Sequence, residues 1–154
     1  MLVMEIREMP RLINSVEIGA PAEAVFDYTA DLSNELEWGE PVRIVRLTEG
    51  PIRVGSRFDA EWKQGGPVDV EYVLMDRPHR WKALGRSPKM DTNVSGEVVA
   101  LGPSRTRFTA TMELVPHGWL WLLTPVLKAA FQKMEEKNLV AIKMAIEKQT
   151  APKS

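Results

Sequence analysis

Between residues 42 and 115 the chain is a succession of short alternating segments cut by turn residues. Six candidate strands, 42–48, 56–64, 67–76, 79–87, 91–101 and 105–115, are parted by Glu49-Gly50-Pro51, Gly65-Gly66-Pro67, Arg77-Pro78, Ser87-Pro88 and Gly102-Pro103-Ser104. Gly supplies unusual backbone angles there, and Pro cannot donate to a ladder. None of these connections holds a crossover helix, so neighbouring strands must run antiparallel. The alternation says which face is wet. Phe58, Ala60 and Trp62 oppose Arg57, Asp59, Glu61 and Lys63, while Val68, Val70, Tyr72 and Leu74 oppose Asp69 and Glu71. Trp81, Ala83 and Gly85 oppose Lys82 and Arg86, and Phe108, Ala110, Met112 and Leu114 oppose Arg107, Thr109, Thr111 and Glu113. One face is apolar and the other charged throughout, which predicts a single curved sheet with one solvated side. The phase is weakest in 91–101, where Val94, Gly96, Val98 and Ala100 form the expected inner set but Val99 and Leu101 blur it.

A seventh strand is expected at 11–18, where Leu12, Asn14, Val16 and Ile18 alternate before Gly19-Ala20-Pro21. From Pro21 the period lengthens to three and four through Val25, Tyr28, Thr29 and Leu32, which predicts a short helix with Pro in its first turn. Ser33 to Gly39 supplies capping residues and a closing Gly for a second, briefer one. At the other end, Leu120, Leu123, Leu127, Ala130, Phe131, Met134, Ala141, Ile142 and Ala145 recur at helical spacing up to Lys148, with Pro125 placing the start of regular helix after Leu123. The segments at 1–10 and 149–154 read as an N-terminal extension and a frayed tail around one domain, 11–148.

Composition removes whole function classes. Twenty Lys and Arg against twenty-one Asp and Glu give a net charge of −1, so nothing sequence-wide attracts a phosphate backbone, and no nucleic-acid partner is expected. The absence of cysteine excludes disulfide scaffolds, thiolate metal sites and thiol nucleophiles. The first residues are too charged for a signal peptide, and Trp119–Leu127 is far short of a bilayer span, so a cytoplasmic protein without an integral membrane segment is expected. His79 and His117 both stand in turns, and no HExxH, GxSxG, P-loop or dinucleotide pattern is present. No metal and no cofactor are expected.

The order of elements, together with Ile18-Gly19-Ala20-Pro21-Ala22-Glu23-Ala24-Val25-Phe26, the Ala30-Asp31 to Trp38 stretch, Gly55, Pro78, Ser104 to Phe108, and Asn138-Leu139 through Lys143 to Glu147, resembles the START/Bet v 1-like (SRPBCC) superfamily. Within it, the sequence is similar to the polyketide cyclase/dehydrase and lipid-transport branch over residues 11–148. The resemblance implies an α+β helix-grip fold: a seven-stranded antiparallel curved sheet wrapped around a long C-terminal helix, with two short helices after strand 1. It also implies a cavity between sheet and helix for a small apolar molecule.

The residues facing that space are, by alternation, Phe58, Trp62, Val70, Tyr72, Trp81, Val94, Phe108 and Met112 from the sheet. Leu123, Leu127, Phe131 and Met134 face it from the helix, and together these twelve are the candidate ligand contacts. Ala60, Ala83, Gly85, Gly96 and Ala110 leave room opposite the helix or accommodate large side chains. Tyr72 and Arg86 are the candidate proton-transfer residues, Tyr72 because its hydroxyl can orient a ligand oxygen from an apolar wall. Tyr28, Thr92, Asn93 and Asn138 are further polar groups able to reach the inside, whereas Asp59, Glu61, Asp69 and Glu71 belong to the solvated face. Trp119 to Leu123 is apolar in every direction, as suits a gate, a homodimer contact or a shallow membrane edge. Three functions fit these residues. The first is binding or transport of a small hydrophobic ligand, lipid or polyketide-like. The second is a metal-free cyclase, aromatase or dehydratase using the same cavity, and the third is an interaction module through Trp119–Leu123. The scarcity of catalytic groups favours the first.

Overall fold

The computed structural model describes residues 10–63 and 65–151. In chain order it contains β1 (Arg11–Ile18), α1 (Ala22–Thr29), a 3-10 turn (Leu32–Asn34), α2 (Glu35–Trp38), β2 (Pro41–Arg46), β3 (Arg57–Trp62) and β4 (Gly66–Asp76). β5 (Arg80–Arg86), β6 (Met90–Gly102), β7 (Arg105–Pro116), a second 3-10 turn (Gly118–Leu123) and α3 (Thr124–Thr150) complete it. The sheet order is β1-β7-β6-β5-β4-β3-β2, antiparallel throughout. β2 to β7 form a plain meander: a ten-residue loop joins β2 to β3 and short turns join the rest, while α1 and α2 carry the chain from one sheet edge to the other. This is the helix-grip arrangement expected from the order of segments.

Regular helix in α3 begins at Thr124, with Pro125 in its first turn, where a missing N–H costs nothing. The helix persists to Thr150, two residues beyond the expected end, and Thr150 closes it by donating to the Ile146 carbonyl at 3.0 Å. The expected N-terminal extension lies outside the described residues except Pro10, whose carbonyl accepts from Leu114 N at 2.9 Å.

The core sits on the concave face. Ile18, Phe58, Tyr72, Phe108, Leu139, Ile142 and Ile146 belong to one cluster that joins sheet and helix, and each fully buried aliphatic contributes on the order of 2 kcal/mol. α3 meets the sheet mainly along β1, and its other neighbours are α1, α2 and the turn before it. A reciprocal amide pair fixes the β1 seam: Gln132 Nε2 donates to Asn14 Oδ1 at 2.7 Å, and Asn14 Nδ2 donates back at 3.4 Å.

Two features correct the strand reading. Leu74 does not continue the inner row of β4, because a bulge between Tyr72 and Leu74 shifts the register; Leu74 pairs with Lys82, and Met75 takes the inner place beside Trp81. Asn93 pairs with Leu84 and Glu113 on the convex side, so it does not reach the interior. Gly85 and Gly96 do not open empty space either. A Cβ at Gly96 would lie 2.4 Å from the Trp81 indole nitrogen, and one at Gly85 would lie 2.6 Å from Thr92 Oγ1, so both glycines seat side chains of the sheet itself.

Candidate functional site

The twelve expected ligand contacts fall into three groups. Phe58, Val70, Tyr72, Trp81 and Phe108 are buried in the packed core, with Phe58 edge-on to Tyr72 and Tyr72 tilted against Trp81. Trp62, Val94, Met112, Leu127 and Phe131 are only half-buried. Leu123 and Met134 are exposed, Met134 to 44%. The helical stripe that faces inward is Leu127, Phe131, Glu135, Asn138, Leu139, Ile142 and Ile146; Met134 lies one residue off this line and points to solvent. Below Leu139 the helix is closed down on its core, and above it the two facing surfaces stay partly uncovered.

Neither expected proton-transfer residue serves the interior. The Tyr72 hydroxyl donates to the Ala30 carbonyl at 2.5 Å and accepts from Leu32 N at 3.1 Å, which pins the turn after α1 to the sheet. Burial raises its pKa further. Arg86 pairs with Asp69 on β4 in the outward-facing register, borders a shallow depression with Arg57 and Glu71, and binds Asp91 at 3.0 Å. Tyr28 is engaged as well, donating to Glu37 Oε2 at 2.9 Å. Asp59 and Glu61 meet Arg43 outside the sheet, as the alternation requires. His117 contacts the Pro88 carbonyl and Asp91 at the surface. Among the described residues no three His, Asp or Glu converge so as to hold a metal ion.

What does face the interior is a pair of carboxyl groups that the sequence pattern passed over. Glu35 opens α2 and Glu135 lies on the inward stripe of α3. Glu35 is partly exposed as a residue, but its Oε2 is sealed from solvent and accepts no hydrogen bond. Burial pushes its pKa up to about 7; the neighbouring Glu135 charge adds to the rise, and the Trp62 indole, a donor, opposes it. Glu135 is raised by burial too, against the pull of Asn138 Nδ2, which donates to its Oε1 at 3.3 Å. Gly39 makes the arrangement possible. Its φ of −97° is ordinary, but a Cβ there would lie 2.7 Å from Glu35 Cγ, so the absent side chain is what lets Glu35 fold over it.

Glu135 was legible in principle, as an acid at a stripe position among apolar residues. For Glu35, one of two acids in Glu35-Leu36-Glu37, no spacing signal separates the buried carboxyl from the exposed one.

The concave face is therefore an apolar surface with one acidic spot, on a fold whose relatives are recognisable. The model of the family described as polyketide cyclase / dehydrase and lipid transport matches residues 9–147, and the chain belongs to that family. Among solved structures it is similar to a START superfamily protein from Mycobacterium smegmatis (TM-score 0.76, 16% identity, covering 91% of this chain and 99% of that one). It is also similar to an aromatase/cyclase from Streptomyces sp. R1128 (0.78, 16%, 92% and 96%). A point mutant of norcoclaurine synthase from Thalictrum flavum, in complex with a transition-state analogue, matches at 0.72 and 14%, over 94% and 98%. At such identities these likenesses concern the fold alone. No curated protein sequence matches the chain significantly. Among the described residues no helix is long and apolar enough to cross a membrane.

Proposed function

We propose that this protein is a carrier or sensor that binds a small, mostly apolar ligand between the concave sheet and the first half of α3, in the cytoplasm. The observation that carries the reading is the half-burial of Trp62, Val94, Met112, Leu127 and Phe131, apolar side chains of the concave sheet and the inward helix stripe, directly beside a fully closed core. Apolar surface left uncovered in this way is the usual lining of a small-molecule site. Membership of a family described by polyketide cyclisation and lipid transport supports the same ligand class. A guest burying about 300 Å² of apolar surface would gain about 7 kcal/mol before the costs of association, which caps its affinity at roughly ten micromolar and leaves it weaker once those costs are met. With the Tyr72 hydroxyl bonded to backbone and Arg86 on the convex face, neither supplies acid or base to the interior, which favours binding over cyclisation.

Native mass spectrometry of the purified protein, followed by titration with a panel of lipids and aromatic polyketides, tests this reading. A bound species is expected, with affinity reduced about tenfold in Trp62→Ala or Phe131→Ala and unchanged in Met134→Ala. Absence of any bound species and of binding from the whole panel would refute it.

A further inference from the structure

A carboxyl group taken out of water needs hydrogen-bond donors or a cation. Glu135 and the Trp62 indole act on Glu35, and Asn138 acts on Glu135, so the interactions that shape the pair include no positive charge. On α3 the residues three and four positions from Glu135 are Phe131, Gln132, Asn138 and Leu139, none of them cationic. The polar groups that share the surroundings of Tyr72 with Glu35 are already engaged. Asp31 Oδ1 accepts from Ser33 N, Arg46 is turned to the carbonyls of Thr48 and Gly50, and the Tyr72 hydroxyl serves the backbone. Independently of this charge pattern, Glu35 Oε2 stands buried with no partner. The site is thus rich in acceptors and poor in donors.

We propose that Glu35 and Glu135 together recognise the amine end of an otherwise apolar ligand, an alkylammonium whose hydrocarbon part lies against Phe131, Val94 and Met112. This rests on the cavity reading above and narrows it. The chemistry of the pair selects the class: a carbonyl or carboxylate brings further acceptors, a hydroxyl brings one donor, and an ammonium brings up to three donors with a compensating charge. Near neutral pH the ammonium displaces the proton held by Glu35, which passes to the buffer, so uptake of one cation releases up to one proton.

The probes are decylamine, decan-1-ol and decanoate, which share one chain length and differ only at the head. Titration calorimetry at pH 6.5, in buffers of low and high ionisation enthalpy, reads affinity and proton release together. Decylamine is expected to bind about tenfold tighter than decan-1-ol and to release a proton. In Glu35→Gln and in Glu135→Gln, both isosteric, the preference shrinks to about threefold or less and proton release disappears in Glu35→Gln, while decan-1-ol binds as before. Melting curves of both variants verify that they fold. Equal binding of decylamine and decan-1-ol to the unaltered protein would overturn the amine assignment and leave the cavity reading intact. Binding of none of the three probes would remove both. A preference that survives both substitutions would place the amine elsewhere and also overturn the proposal.

Discussion

Replacing Glu35 by Gln should make the protein more stable, and only above mildly acidic pH. In the folded chain the Glu35 carboxyl holds its proton up to about pH 7, against an ordinary value of 4.5. The folded state therefore binds more protons than the unfolded one between these limits, and stability falls as pH rises through that window. At about 1.4 kcal/mol per pH unit the full penalty is about 3 kcal/mol, reached a little above pH 7 and absent below pH 4.5. Gln keeps the shape and removes the ionisation. The expected result is near-equal stability of the two proteins at pH 4.5 and an advantage of about 2–3 kcal/mol for Glu35→Gln at pH 8.5, which is roughly 6 °C or more in Tm for a domain of this size. Urea unfolding at half-unit pH intervals measures it directly. Glu135→Gln should flatten the same slope only in part, since burial is the larger cause of the Glu35 shift and the Glu135 charge the smaller. A parent protein whose stability is level from pH 4.5 to 8.5, or a Glu35→Gln variant with an unaltered slope, would refute the description of this carboxyl as buried and uncompensated.

Three further outcomes follow from individual contacts. Tyr72→Phe deletes a buried hydroxyl that serves both the Ala30 carbonyl and Leu32 N, and should cost about 1–3 kcal/mol in denaturant unfolding while leaving apolar ligand affinity within a factor of about two. Gly96→Ala drives a methyl group into the Trp81 indole, so the tryptophan near-ultraviolet signal should change and stability should fall by about 1–3 kcal/mol. Leu139→Ala, at a buried position on the inward stripe, should cost about 2–5 kcal/mol, whereas Met134→Ala should fall within about 0.5 kcal/mol; comparable losses would mean that the helix presents a different face.

The fold was legible because it rests on two strong signals, period-two alternation bounded by Gly and Pro and one long helical stripe. Both are properties of contiguous sequence, and both survive in strands such as β3 and β7 without exception. The errors arose where one residue shifts a phase. The β4 bulge exchanges Leu74 for Met75, and nothing in Tyr72-Val73-Leu74-Met75 announces it, because the bulge answers to the pairing with β5 rather than to local preference. In α3 the choice between Met134 and Glu135 as the inward residue is a rotation of one position, and hydrophobicity alone chooses wrongly: the apolar side chain is outside and the acid inside.

That inversion bears on function. A folded domain that only needed a filled core would gain by placing Met134, not Glu135, toward the sheet, and would not bring a second carboxyl from α2 to meet it. The ionisation cost is set by tertiary placement, through Gly39 clearing the space for Glu35 and through the seam of α2 with α3, and so is invisible to any reading of local pattern. The apolar lining follows from the alternation that builds the sheet, whereas the acidic pair is a departure from it, retained at a cost to stability at neutral pH. On the proposed reading, a departure of that kind is where an otherwise apolar binding face would discriminate among ligands.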